Sequence, residues 1–366
     1  MSNISKVKQK INTLTAKGEP YVFIIDFDGN GEVYSPQQAA DEGIYFSFGF
    51  PDELQRPAET LSGDRSAELA SRDRRAELAS GDSSTTEGDS VFGATAKTLG
   101  NGDLRPKSFS VNRIPFDIYK QAFDRVQHHL RNGDTYLINL TFATEIVTDY
   151  SLGEIFMRST APYKLLYKDR FVVFSPERFI RIGNGIIETN PMKGTIDADE
   201  PDAEQKLLGN EKEFFEHNTI VDLLRNDLNM VATDVKVDRF RYVDRIRTHK
   251  GDLLQVSSLI SGRLPENYRE TAGDIIFRLL PAGSVTGAPK ERTVQIIRET
   301  ENYSRGNYTG VFGRFDGSTI DVAVAIRFIE RAGGRLYYKS GGGITSLSNA
   351  EDEYNELISK IYVPIL

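Results

Sequence analysis

The chain of 366 residues contains no cysteine. That one absence removes disulfides, thiolate metal sites and cysteine nucleophiles together. Histidine is scarce, with four copies, so a His-rich metal centre is excluded and any metal is a hard cation held by carboxylates. Positive charge is in the minority, 45 Lys and Arg against 53 Asp and Glu, for a formal net charge of −8. That balance argues against a nucleic-acid groove with its clustered cations. No apolar run approaches the roughly eighteen residues of a membrane span. The polar, periodic MSNISKVKQKINTL (1–14) has no apolar core or cleavage site of a secretion signal. The expected location is the cytoplasm, with neither nucleic acid nor membrane as a partner.

Hydrophobic residues make up 39% of the chain, enough for a sizeable core. Residues 1–17 read as a short amphipathic helix and YVFIIDF (21–27) as a strand. Residues 54–107 carry few large apolar side chains and a tandem DRSAELAS (64–71), DRRAELAS (73–80). Two copies are too few for a solenoid, and the composition predicts a flexible low-complexity insertion. It separates 1–53, assigned to the main domain, from the catalytic region 108–366. There, 114–134 has helical spacing and stops at Asn-Gly, while 135–147 and 170–182 are strand-like. Residues 200–228 are mostly helical. In 319–330, Ile320, Val322, Val324, Ile326 and Phe328 share one strand face, and Asp321, Ala323, Ala325 and Arg327 the other. A strand over 336–344 runs into three glycines, and 349–361 forms a closing helix. This mixture predicts an α+β fold.

Several short motifs carry chemistry, each with a plainer reading beside it. DFDGNGE (26–32) imitates the start of a calcium loop, but Gln37 replaces the bidentate Glu, so a turn is expected. GSVTGAPK (283–290) lacks the Lys that must follow the second glycine of a phosphate loop. In PMKGT (191–195), Lys193 is by default a solvated charge; the alternative is a nucleophilic amine. Glu353 and Glu356 share a helix face and, with Glu216, form a candidate carboxylate metal site. Backbone N–H groups of Gly341, Gly342 and Gly343 can cradle a carboxylate, though such a run is more often a turn. Arg327 lies among small side chains, with room for a ligand.

Taken in order, SPERF (175–179), PMKGT, IVDLLRND (220–227), PAGSVTGAPKE (281–291), YTGVFG (308–313), AIRF (325–328), GGGI (341–344) and AEDEYNE (350–356) resemble the chorismate-utilising enzymes. That family holds anthranilate, aminodeoxychorismate, isochorismate and salicylate synthases. The resemblance implies one α+β domain, two antiparallel sheets packed as a sandwich with helices outside. It implies Mg²⁺ on Glu216, Glu353 and Glu356, bridging to the ring carboxylate of chorismate. Gly341–Gly343 and Thr195 fall where that carboxylate is cradled, and Tyr308 and Arg327 face the enolpyruvyl carboxylate. Glu177 corresponds to the general acid/base, and Lys193 to the attacking lysine of aminodeoxychorismate synthase component I. The implied partner is a separate glutamine amidotransferase subunit supplying ammonia, because this chain has no cysteine to hydrolyse glutamine. Gln255 departs from the histidine that many relatives carry, which favours a product that keeps its pyruvate. The alternatives are anthranilate synthase component I and, from another class, a non-catalytic chorismate-binding subunit.

Long surface loops cost little to close, so the insertion is expected to be dispensable. Replacing 54–107 by a short Gly/Ser linker should leave the thermal midpoint and turnover close to the parent's; collapse of either would make the segment structural.

Overall fold

The computed structural model describes residues 2–49, 108–248 and 251–363, so the expected insertion lies outside the described residues. The N-terminal part contains α1 (Asn3–Lys17), β1 (Tyr21–Ile25), β2 (Gly31–Tyr34), α2 (Pro36–Asp41) and β3 (Ile44–Phe48). After the insertion come β4 (Phe109–Val111), α3 (Phe116–Arg131), β5 (Leu137–Thr148), α4 (Leu152–Arg158), β6 (Tyr163–Tyr167) and β7 (Phe171–Ser175). The middle holds β8 (Arg178–Gly183), β9 (Ile186–Thr189), β10 (Met192–Asp197), α5 (Ala203–Gly209), α6 (Glu211–Asn229), β11 (Thr233–Thr248) and β12 (Gly251–Arg263). The last part comprises α7 (Ala272–Leu279), β13 (Gly287–Ala288), α8 (Lys290–Thr300), β14 (Val311–Phe315), β15 (Ile320–Val324), β16 (Phe328–Ala332), β17 (Arg335–Ile344) and α9 (Ala350–Ser359).

These strands form two antiparallel sheets. The larger runs β10-β12-β9-β8-β15-β14-β1-β2, with β11 also on β12; the smaller runs β13-β5-β17-β16-β7-β6-β3, with β4 on β5. The fold is therefore the α+β architecture expected from the sequence. Alternation along β1 shows why it is a sandwich. Val22 and Ile24 face Phe46, Leu165, Val173 and Phe328 of the smaller sheet. Tyr21, Phe23 and Ile25 instead pack on Val7 and Ile11 of α1, Ile220 and Leu224 of α6, and Ile276 of α7. A strand covered on both faces reads as a continuous apolar run. Helices α3, α8 and α9 cover the smaller sheet through Val126, Ile296 and Leu357. Local chemistry sets the ends. Ser2 caps α1 by accepting from the Ser5 N–H at 3.2 Å, and Gly18 ends it at a left-handed φ of 71°. No helix among the described residues is long and apolar enough to cross a membrane.

Three sequence expectations need correction. The strand-like 170–182 is two strands, because the chain leaves the smaller sheet after Ser175 and enters the larger at Arg178. The alternating 319–330 is broken likewise between Val324 and Phe328, so Arg327 sits at a crossing and not on a strand face. The apolar character continues through both breaks because these strands are covered on both faces: β7 is buried at every position, and Ile320, Val322 and Val324 pack on the helix side of the larger sheet while Phe328 packs between the sheets. The strand expected over 336–344 is β17, and Gly341–Gly343 lie inside it, paired with Thr141, Leu140 and Asn139, so it is the plainer reading of the glycine run as a turn that is corrected.

Phe312 is fully buried between the sheets, its ring centroid 5.8 Å from that of Phe48. Phe312→Ala should lower unfolding free energy by about 3–5 kcal/mol, read as a lower urea midpoint, because neighbours from two sheets cannot close the hole.

Candidate active site

The two crossings lie side by side. Glu177, between β7 and β8, gives its carbonyl to the Val324 N–H at 3.1 Å, and the Arg327 carbonyl accepts from the Phe174 N–H at 3.0 Å. The side chains of Glu177 and Arg327 therefore enter one region. Ser284, in the short 3-10 turn Gly283–Val285 of PAGSVTGAPK, donates its hydroxyl to Glu177 Oε1 at 2.5 Å. Withdrawal from water raises the Glu177 pKa above the ordinary carboxylate range. The Ser284 bond and the positive charges of Lys193, Arg327 and Lys360 offset that only in part.

Lys193 is brought there by an irregularity. The ladder between β10 and β12 shifts register between Lys193 and Thr195, and Gly194 takes φ of 67°, a left-handed value that favours glycine. A Cβ on Gly194 would stand 3.1 Å from Leu207 Cδ1. Lys193 Nζ is 3.6 Å from Glu216 Oε2. Glu216 is held by α6, which Asn210 caps by accepting from the Glu213 N–H at 3.1 Å. The next residue, His217, is buried, with Nε2 2.7 Å from Ser258 Oγ of β12. Burial, helped by nearby Arg241 and Lys193, lowers its pKa to about 4, so it is neutral and fastens α6 to β12. Further along α6, Asp227 accepts from Lys290 Nζ at 3.0 Å, and Lys290 also donates to the Leu279 carbonyl at 2.8 Å. The end of IVDLLRND thus anchors PAGSVTGAPK. Thr195 pairs through its backbone with Gln255; its side chain lies outside what the structure describes.

On the opposite wall, β16 pairs with β17 only as far as Lys339, so β17 has strand β5 on one side alone from Ser340 onward. The three glycines occupy that stretch. Gly341 is required by close approach, since a Cβ there would meet Thr141 Cγ2 at 2.5 Å. At Gly342 a Cβ would make ordinary contacts, 3.6 Å from Glu353 Oε2, 3.8 Å from Lys360 Nζ and 3.9 Å from Glu356 Oε1, so these three groups stand directly beside the strand. Asn349 caps α9 by accepting from the Glu351 N–H at 2.9 Å, which fixes the turn that carries Glu353. Lys360, not anticipated from the sequence, donates to Glu356 at 2.7 Å and to the Gly341 carbonyl at 2.9 Å. Lone lysines near a chain end give no periodic or motif signal.

Arg327 and Thr309 adopt left-handed φ values of 54° and 61°. The Thr309 N–H bonds the Ala325 carbonyl at 2.8 Å, so the two unusual residues belong to adjoining turns. Such conformations persist only where the surroundings impose them. Arg327 Nε is a buried donor without a hydrogen-bond partner, which suits an anionic ligand. Buried Tyr308 lies within its electrostatic reach, and burial pushes the phenol's pKa well up.

The structure thus gathers Glu177, Lys193, Glu216, Tyr308, Arg327, Gly342, Glu353 and Glu356 around one region. It does not gather the three expected metal ligands into one set: no group of three His, Asp or Glu among the described residues is placed to hold a metal. Lys193 faces Glu216 and Lys360 faces Glu356, so ammonium groups stand at two of the three carboxylates. The donors themselves are hard oxygens suited to Mg²⁺, and Glu353 and Glu356 both lie beside Gly342.

A model of the chorismate binding enzyme family matches residues 2–365. A PabA-like protein of Pasteurella multocida is 44% identical over 98% of both chains. Aminodeoxychorismate synthase component 1 of Salmonella typhimurium is 35% identical over 66% of this chain and 56% of its own length. The solved structure of anthranilate synthase component I from Streptococcus pneumoniae superposes with a TM-score of 0.60 at 31% identity, over 73% of this chain and 61% of that one.

Glu177→Gln should stabilise the fold while removing the acid. A carboxyl whose folded pKa is raised costs stability once it ionises. The cost is absent below the unfolded Glu value near 4.3 and complete above the folded value. The urea midpoint of the variant should therefore exceed the parent's at pH 7 and match it at pH 4. Equal midpoints at both would refute the burial argument.

Proposed function

The chain belongs to the chorismate binding enzyme family, and within it we propose that this protein aminates chorismate at ring carbon C4. The product is 4-amino-4-deoxychorismate, a precursor of p-aminobenzoate. The observation that carries the reading is Lys193, an amine aimed by a bulge toward Glu216 and within electrostatic reach of Glu177. Similarity to a relative named aminodeoxychorismate synthase component 1 supports it.

The chemistry follows from the residues. The Lys193 ammonium first passes a proton to Glu216 Oε2, 3.6 Å away; the amine so freed attacks C2, the ring double bond shifts, and the C4–O bond breaks. Hydroxide is a poor leaving group, so Glu177 in its acid form supplies the proton that lets it depart as water. The raised pKa of Glu177 favours that acid form. Ammonia then attacks C4, the double bond returns, and the C2–N bond breaks to release Lys193 as free amine. The ammonium formed at C4 returns one proton to Glu177, which closes the cycle. Arg327 and Tyr308 hold the enolpyruvyl carboxylate. Glu353 and Glu356 of α9, with Glu216 of α6, would hold Mg²⁺, which when bound would offset the charge of the ring carboxylate. Because the chain has no cysteine, ammonia arrives from a separate glutamine amidotransferase subunit in the cytoplasm.

The test is a product assay with chorismate, Mg²⁺ and ammonium. The expected product is non-aromatic, retains its enolpyruvyl group, and yields p-aminobenzoate only when a lyase is added. Lys193→Ala should depress its formation about 10²–10⁴-fold, the usual loss for one positioned catalytic group. Direct release of pyruvate and anthranilate by the unmodified protein would overturn the assignment.

A further inference from the structure

Behind the site lies an ion pair that the mechanism above does not use. The side chains of Arg305 and Glu301 are both 1% exposed, and they meet in a two-pronged contact: Arg305 Nε to Glu301 Oε2 at 2.8 Å and Nη2 to Oε1 at 2.6 Å. Each partner also reaches outward. Arg305 Nη1 donates to the Val285 carbonyl at 2.8 Å and to Thr309 Oγ1 at 3.3 Å, and Nη2 donates to the Asn139 carbonyl at 2.6 Å. Glu301 Oε1 accepts from the Thr141 N–H at 2.9 Å and from its hydroxyl at 2.8 Å. Phe27 lies against the guanidinium, 4.8 Å from carbon to ring centroid. The Arg305 carbonyl accepts from the Tyr308 N–H at 3.1 Å and from Lys339 Nζ at 3.0 Å.

Each outward contact ends one step from a group of the site. Val285 follows Ser284, the hydroxyl on Glu177. Thr309 follows Tyr308 and holds the left-handed turn against Ala325. Asn139 and Thr141 are the β5 partners of Gly343 and Gly341. We propose that Arg305, locked by Glu301, is a positioning residue that sets the Ser284 turn, the Tyr308 turn and the glycine strand in register with one another. Only a planar fork with several donors serves three such segments at once, which a lysine cannot do. Stability alone is a poor reason for the pair, because two buried charges are often no better than apolar residues of similar volume. The proposal rests on the assigned roles of Glu177 and Tyr308, but its test reads chorismate consumption whatever the product. It can therefore fail or succeed independently of the C4 assignment.

The experiment compares the full-length parent with Arg305→Lys and with the double variant Arg305→Met/Glu301→Met, which leaves no single buried charge stranded. Folding is followed by urea unfolding, and chorismate consumption with ammonium and Mg²⁺ is measured from pH 6 to 9. The double variant is expected to fold and to lose about 10²-fold in kcat, the scale of an ångström misplacement of reacting groups. Its pH profile should also move. Without the Ser284 hydroxyl held in place, the Glu177 carboxylate loses a stabilising bond, so the limb on which activity falls with rising pH shifts upward. Arg305→Lys, which keeps the charge but not the fork, should fall between the two in kcat and in the position of that limb. A folded variant with the parent's kcat, KM and pH limb would overturn the proposal. Failure of both variants to fold would overturn it as well, by assigning Arg305 to the core alone.

Discussion

A chain that serves two face-to-face sheets must break its strand wherever it crosses, because the sheets stand about 10 Å apart and no ladder spans that gap. At a crossing the backbone loses its neighbours and needs other partners. Here two crossings satisfy each other: the Glu177 carbonyl takes the Val324 N–H and the Arg327 carbonyl takes the Phe174 N–H. This reciprocity fixes an acid and a guanidinium side by side at the seam of the sandwich. The other groups are disposed around that pair. Lys193 comes from the bulged β10, Ser284 from the turn before β13, and the glycine strand from beyond the end of β16.

The elements legible in the sequence were those whose signals are local. The helix stop at Asn132–Gly133, the apolar run of β1 and the capped α9 all coincide with what adjacent residues dictate. The crossings were illegible because the strands on either side of them are apolar and buried alike, whichever core they face. Nothing in RFVVFSPERFIRI separates one strand from two except Pro176, and in TIDVAVAIRFIE nothing does. The glycines misled for a related reason: a run that usually marks a turn is here needed because Thr141 of β5 comes within 2.5 Å of where a Cβ would stand. Motif order singled out Glu177, Lys193 and Arg327, which the fold brings into one region, and did not single out Lys360 or Arg305. Their contacts reach residues up to 166 positions away, as between Arg305 and Asn139, which no local pattern encodes.

Anchoring between motifs explains why several of them exist as blocks. Asp227 ends IVDLLRND and Lys290 ends PAGSVTGAPK, and their contact at 3.0 Å makes the two a single unit. Gly283 lies in that unit, where a Cβ would come within 3.0 Å of Asp227 Oδ2. The positions in these blocks without chemistry of their own thus hold the turn that aims Ser284 at Glu177. His217 does the same on the other side, binding α6 to β12 so that Glu216 meets Lys193.

The ion pairs of the site fall into two kinds, and their burial separates them. Lys193 and Glu216 are 32% and 19% exposed, and Lys360 and Glu356 are 25% and 46% exposed. Partly solvated pairs of this sort contribute little and exchange partners at small cost. Lys360 and Glu356 lie beside Gly342, and Lys193 is within electrostatic reach of Lys360. Arg305 and Glu301, by contrast, are withdrawn from water and bonded on every side. Breaking such a pair strands a buried charge, so it does not rearrange. Yielding charges in front and a fixed pair behind divide the region into a part whose ion pairs can change partners and a part that holds its geometry.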